Sequence, residues 1–195
     1  MSSSTPFRYL RFHGIFDDAM MVYHEDEEGR PLYNFRFTDQ LFDFLLSIGL
    51  KPFVELGFMP SKLAADPGKT VFYQASYVSP PRSVERWCRL VDRFLRHCMN
   101  RFGAEEVESW KFEFWNEPEF HIFWPGTTEE YRRLYLETYR TMKRISPACK
   151  SGRPGGSLRF VPPRFLTSSR RSAERTTACR TSFRFTFTPM RRSTT

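Results

Sequence analysis

The residues best equipped for chemistry lie near the middle of the chain, where Trp115-Asn116-Glu117-Pro118 follows the apolar-rich residues 109–114. That stretch reads as a β-strand, which puts Glu117 at a strand C-terminus. A carboxyl group so placed can donate a proton to a departing oxygen and later take one back. It does so near neutral pH if burial or a second carboxylate keeps its pKa high. An isolated Asn-Glu-Pro also occurs as an ordinary turn, so the surrounding elements decide between the two readings. His13-Gly14 stands at another strand end, where a histidine is otherwise often a satisfied loop residue. Glu55 and Glu113 lie inside strands and are read as structural. Phe58, Phe123 and Trp124 fall in strand-end loops, where core packing and stacking on a ligand ring explain them equally well.

The elements that must position these groups alternate strand and helix. Tyr9-Leu10-Arg11-Phe12 is a short strand, followed by a polar loop with Asp17-Asp18 and the acidic run Glu25-Asp26-Glu27-Glu28. Thr38 is expected to cap a helix with Leu41, Phe44, Leu45 and Ile48 inward and Gly49 as its stop. Residues 52–58 form the next strand. Val84, Trp87, Cys88, Val91, Phe94, Leu95, Cys98 and Phe102 keep a 3-and-4 rhythm, which predicts a long helix with one wide buried face ending at Gly103. After the Asn-Glu-Pro strand, Thr127 and Glu130 make a capping box for a helix through residue 145, with Tyr131, Leu134, Tyr135, Thr138 and Met142 inward. Repeated strand-helix pairs argue for an α/β fold with a parallel sheet, whose strand C-termini carry the chemistry.

Composition divides the chain into two parts. Residues 1–150 hold 20 Lys+Arg against 21 Asp+Glu, whereas residues 151–195 hold ten Arg, no Lys and one acid, Glu174. The net charge of +8 therefore belongs to the tail. A basic protein ordinarily suggests nucleic acid or an anionic membrane, but here the body is close to neutral and neither partner is expected. No run of about 18 apolar residues is present. Met1-Ser2-Ser3-Ser4-Thr5 lacks the basic and apolar segments of a signal peptide, so the chain reads as cytoplasmic. Cys88, Cys98, Cys149 and Cys179 lack metal-ligand spacing; they are expected to be reduced, structural thiols, with no metal or cofactor.

Four motifs in order carry a family resemblance. Residues 11–18 (Arg-Phe-His-Gly-Ile-Phe-Asp-Asp), Tyr33-Asn34-Phe35 leading to Leu41-Phe42-Asp43, residues 52–60 and residues 112–118 together resemble glycoside hydrolase family 39, specifically its bacterial β-xylosidases. The resemblance covers residues 7–150. It implies a (β/α)8 TIM barrel of which this chain supplies strands two to four with their helices, since a closed barrel needs about 250 residues. It implies β-1,4-xylosides or xylo-oligosaccharides as substrate, with retention, Glu117 as acid/base, Asn116 bonded to the sugar 2-hydroxyl, and His13 binding the glycone. A retaining site needs a nucleophilic carboxylate about 5 to 5.5 Å from the acid. The family carries it on strand seven, so no residue of this chain is assigned that role. At position 119 the family has Asn or Asp where this chain has Glu119, a departure that touches the loop and not Glu117.

From residue 151 the strand and helix rhythm vanishes into an Arg/Ser/Thr/Pro-rich tail of the kind that reads as irregular. Residues 181–191 can be encoded so that moving the frame back one base yields D-F-V-S-F-H-F-Y-P-Y-E, similar to the sixth-strand segment of the same family. A frameshift near Lys150 explains the tail, and the chain is then expected to be an inactive fragment. Two other readings stay open within the sugar class: a carbohydrate-binding remnant without cleavage, and an α-L-iduronidase-like specificity, since those enzymes resemble the same family. A nucleic-acid-binding tail is the remaining class.

Overall fold

In a computed structural model the described residues are 7–73 and 76–151. The expected irregular tail from residue 152 onward, with Cys179, lies outside them. In chain order the elements are β1 (Tyr9–Phe12), a short 3-10 turn (Asp18–Met20), β2 (Tyr23–Glu25), β3 (Pro31–Tyr33), α1 (Arg36–Ser47), β4 (Lys51–Leu56), β5 (Thr70–Val71) and β6 (Ser76–Tyr77). There follow α2 (Val84–Phe102), α3 (Ala104–Ser109), β7 (Lys111–Phe114), α4 (Thr128–Ile145) and β8 (Lys150–Ser151).

The main sheet is parallel, in the order β1-β4-β7-β8. Phe12 pairs with Val54 and Val54 with Phe112, while Glu55 pairs with Glu113. Because side chains alternate along a strand, this register puts Val54, Leu56, Phe112 and Phe114 together on one face. All four are buried. Helix α2 contributes Trp87, Leu90, Val91, Phe94, Leu95 and Cys98 to the same core. Trp87 is fully buried, its ring edge-on to Phe16 and Phe114, and its Nε1 donates to Thr138 Oγ1 of α4 at 2.8 Å. Truncating such a side chain to alanine costs about 3–5 kcal/mol.

The long helices start and stop where their terminal residues dictate. Ser83 accepts from the Arg86 amide at 3.2 Å, and α2 ends at Gly103, whose φ of 87° suits glycine. Thr127 and Glu130 form the expected reciprocal capping box on α4. Cys88, Cys98 and Cys149 are free thiols.

Several expectations are corrected. Helix α1 begins before Thr38 because Asn34 Oδ1 accepts the Arg36 amide at 3.0 Å, so Thr38 lies within the first turns and donates to the Phe35 carbonyl at 2.6 Å. Its buried face is Thr38, Phe42 and Leu45; Phe44 and Ile48 face outward. The acidic run lies in a β2–β3 hairpin: Glu25 ends β2, Asp26–Gly29 make the turn, and Glu25 ties the hairpin to the start of α2 by accepting from Arg86 and from Arg82 just before that helix. Ser109 closes the short helix α3 instead of opening a strand. Ser151, expected to be irregular, pairs with Phe112 in a fourth parallel strand that is too short to show a periodicity.

Candidate functional site

The opposite face of the sheet holds the chemistry. Strand alternation that sends Val54 and Leu56 into the helix layer must turn Glu55 the other way, and the same holds for Glu113 between Phe112 and Phe114. Both carboxylates are buried and are direct neighbours across β4 and β7. Like charges side by side are unfavourable, and Arg11 of β1 relieves them. Its Nε donates to Glu113 Oε2 at 2.5 Å and its Nη2 to Glu55 Oε2 at 3.0 Å. The same Nη2 donates to Asn116 Oδ1 at 3.1 Å. Two residues beyond Arg11, on the same face, His13 places Nδ1 2.5 Å from Glu55 Oε2.

Three titrating groups shift in this cluster. The bond to Glu55 raises His13 above its ordinary value of 6.5, although partial burial opposes it. Burial pushes the Glu55 carboxyl up, opposed by His13 and Arg11. Asp17, in the loop after β1, is also raised by burial, against a hydrogen bond donated by Ser76 at 2.6 Å.

The peptide around Asn116 is unusual. Trp115 and Glu117 have φ of 64° and 38°, a region that non-glycine residues enter only when their surroundings hold them. The Trp115 ring supplies that hold: it is buried, its Nε1 donates to the Phe123 carbonyl at 2.7 Å, and it packs on Phe58, Trp87 and Trp124. Asn116 is buried behind it. Glu117 follows β7 as expected; it is exposed, and its carbonyl accepts from the Phe120 amide at 3.0 Å.

The structure thus brings His13 and Asn116 together through Arg11 and Glu55, with Glu117 next in sequence to Asn116. Sequence reasoning gave no role to Arg11 and left Glu55 and Glu113 as structural. The signal was present: Arg11 and His13 share a face at i and i+2, and a charged residue between two apolar strand residues must face away from their core. Of the loop aromatics, Phe58 and Trp124 are core residues; Phe123 is half-buried, stacked on Phe58 at 6.3 Å and tilted against the exposed Phe72. Among the described residues no group of three or more His, Cys, Asp or Glu side chains could hold a metal ion, and no helix is long and apolar enough to cross a membrane.

Known proteins resemble this chain in sequence and fold. The family profile described as "Glycosyl hydrolases family 39" matches residues 2–177. A β-xylosidase of Caldicellulosiruptor saccharolyticus is 41% identical over 153 residues, 78% of this chain and 31% of that protein. The crystal structure of a monomeric β-xylosidase from Caulobacter crescentus superposes with a TM-score of 0.73 at 40% identity, covering 77% of this chain and 30% of that one. An α-L-iduronidase of Mus musculus is more distant, 30% identical over 156 residues, 78% of this chain and 22% of that protein. This chain therefore spans about a third or less of the length of these relatives.

Proposed function

Because the chain belongs to glycoside hydrolase family 39, we propose that it carries the acid/base part of a site that hydrolyses β-xylosides with retention of configuration. The observation that carries this reading is the strained, tryptophan-anchored turn that sets Glu117 directly after a buried, Arg11-bonded Asn116 at the C-terminal end of a central parallel strand. The helix-linked parallel strands then count as consecutive strands of a (β/α)8 barrel, whose active sites lie at this end of the strands. Glu117 protonates the departing glycosidic oxygen and later deprotonates the water that attacks the glycosyl-enzyme. Asn116 bonds the sugar 2-hydroxyl and His13 the glycone. No residue of this chain is assigned as nucleophile, so the chain alone is inactive. A frameshift near Lys150 accounts for the tail sequence. The free thiols Cys88, Cys98 and Cys149 support action in a reducing cytoplasm.

A uronide is the weaker substrate reading. It needs a cation for its carboxylate, and the Arg11 guanidinium on this face already serves Glu55 and Glu113. Sugar binding without cleavage is the reading for the chain by itself, and calorimetry with xylose measures it.

A chimera tests the proposal. Residues 7–151 replace the matching segment of the C. saccharolyticus β-xylosidase, which supplies the nucleophile. The chimera should release xylose from an aryl β-xyloside with the β-anomer formed first by NMR, while the 195-residue chain hydrolyses nothing. Inversion, preference for an iduronide, or hydrolysis by the chain alone would overturn it.

A further inference from the structure

Arg11 is bonded to the buried carboxylates of Glu55 and Glu113 and carries one charge against their two, a balance that is incomplete within this cluster without a second cation. We propose that Glu55 is a positioning residue that holds His13 protonated and fixes its ring, so that Nε2–H points to a hydroxyl acceptor; the identity of that acceptor as a sugar rests on the reading above. The side chain of Glu55 has no exposure at all, and that of Glu113 only 4%. Arg11 bridges both, leaving one negative charge to be met by His13, whose Nδ1 lies 2.5 Å from the same Glu55 oxygen that Arg11 reaches. A buried carboxylate without a matched cation is costly, so the proton stays in the pair.

Every neighbouring element bears on His13. Arg11 faces it from β1, Glu55 from β4, Glu113 from β7, and Asp17 from the loop after β1. The rings of Phe58 and Phe72 flank it, with centroids at 6.2 and 6.1 Å. At Nε2 its neighbour is Arg11 Nη1 at 3.4 Å, itself a donor. A neutral ring accepts from Arg11 there; in the protonated ring Nε2 is a donor facing a donor, so Arg11 Nη1 gives way and Nε2–H turns to another acceptor, on a side chain 41% exposed. A ligand hydroxyl oxygen meets that need. Glu55 is placed in turn by Gly57, where a Cβ would stand 3.1 Å from Glu55 Oε1.

The titration of the His13 ring, followed by NMR in the full 195-residue chain without ligand, tests this. In the wild type the midpoint should lie above the ordinary 6.5. Glu55→Gln should return it to that value or below, and Glu55→Asp should keep part of the rise. If Glu55→Gln fails to fold, Gly57→Ala, which crowds the carboxylate, should lower the midpoint. A wild-type midpoint at or below 6.5, or one unmoved in a folded Glu55→Gln, overturns the proposal. Methyl β-xyloside affinity should fall about tenfold per pH unit between the midpoint of the free protein and the higher midpoint of the complex. A raised, Glu55-dependent midpoint with no response to the xyloside would uphold the role of Glu55 and remove the sugar reading.

Discussion

Arg11 Nη2 donates to Asn116 Oδ1 at 3.1 Å across 105 residues of sequence. A guanidinium can only donate, so it must meet the oxygen of the amide and not its nitrogen. The amide group is thereby oriented, and its NH2 is left to face an acceptor elsewhere. The same guanidinium bridges Glu55 and Glu113, so one side chain bears on both the charge of the site and the aim of its amide.

Arg11→Met should therefore cost more than an exposed ion pair does. It leaves two buried carboxylates against a single histidine, and breaking such a network costs about 3–5 kcal/mol. Urea unfolding near neutral pH measures the loss. Arg11→Lys should recover only part of it, because an ammonium cannot reach both carboxylates and Asn116 in one plane. A loss as small as that of a surface pair, about 0–1 kcal/mol, would mean that the buried charges find another partner.

His13 makes stability depend on pH with a definite sign. Its folded pKa is raised above 6.5, so its stabilising contribution is fully present below that value and is lost as pH rises through the folded pKa. Glu55 is raised too, by burial, and acts in the same direction from a lower starting point. Unfolding free energy should fall as pH rises above about 6.5, and His13→Phe should flatten that fall. A stability that climbs with pH in this window, equally in both proteins, would contradict the pairing.

Glu117 is tested by leaving-group dependence in the chimera. Glu117→Ala should slow xylosides with poor leaving groups far more than activated ones in the first step, because only the former need a proton on departure. Azide should restore turnover by attacking the glycosyl-enzyme without base assistance, giving a β-xylosyl azide. Equal losses across leaving groups with no azide product would take Glu117 out of the acid/base role.

Much of the framework was legible in the sequence because its signals are local. The 3-and-4 rhythm of α2, the Thr127–Glu130 capping box and the apolar approach to Asn116-Glu117 each rest on neighbours within a few residues. Helix α1 was placed less well, because Asn34 competes with Thr38 for its start and because Phe42, not Phe44, meets the core. The β2–β3 hairpin escaped because Glu25 is strand-compatible only once Arg82 and Arg86 neutralise it, more than 55 residues away.

The sequence by itself determined that Glu117 ends a strand beside Asn116 and that β4 and β7 each carry a carboxylate between apolar residues. Only the tertiary structure decided that Glu55 and Glu113 stand side by side and share Arg11 with Asn116 and, through Glu55, with His13. The physical reason is register. A strand's period of two sorts its residues into two faces, but which residues of β1, β4 and β7 meet is set by pairing across 42 to 105 positions of chain.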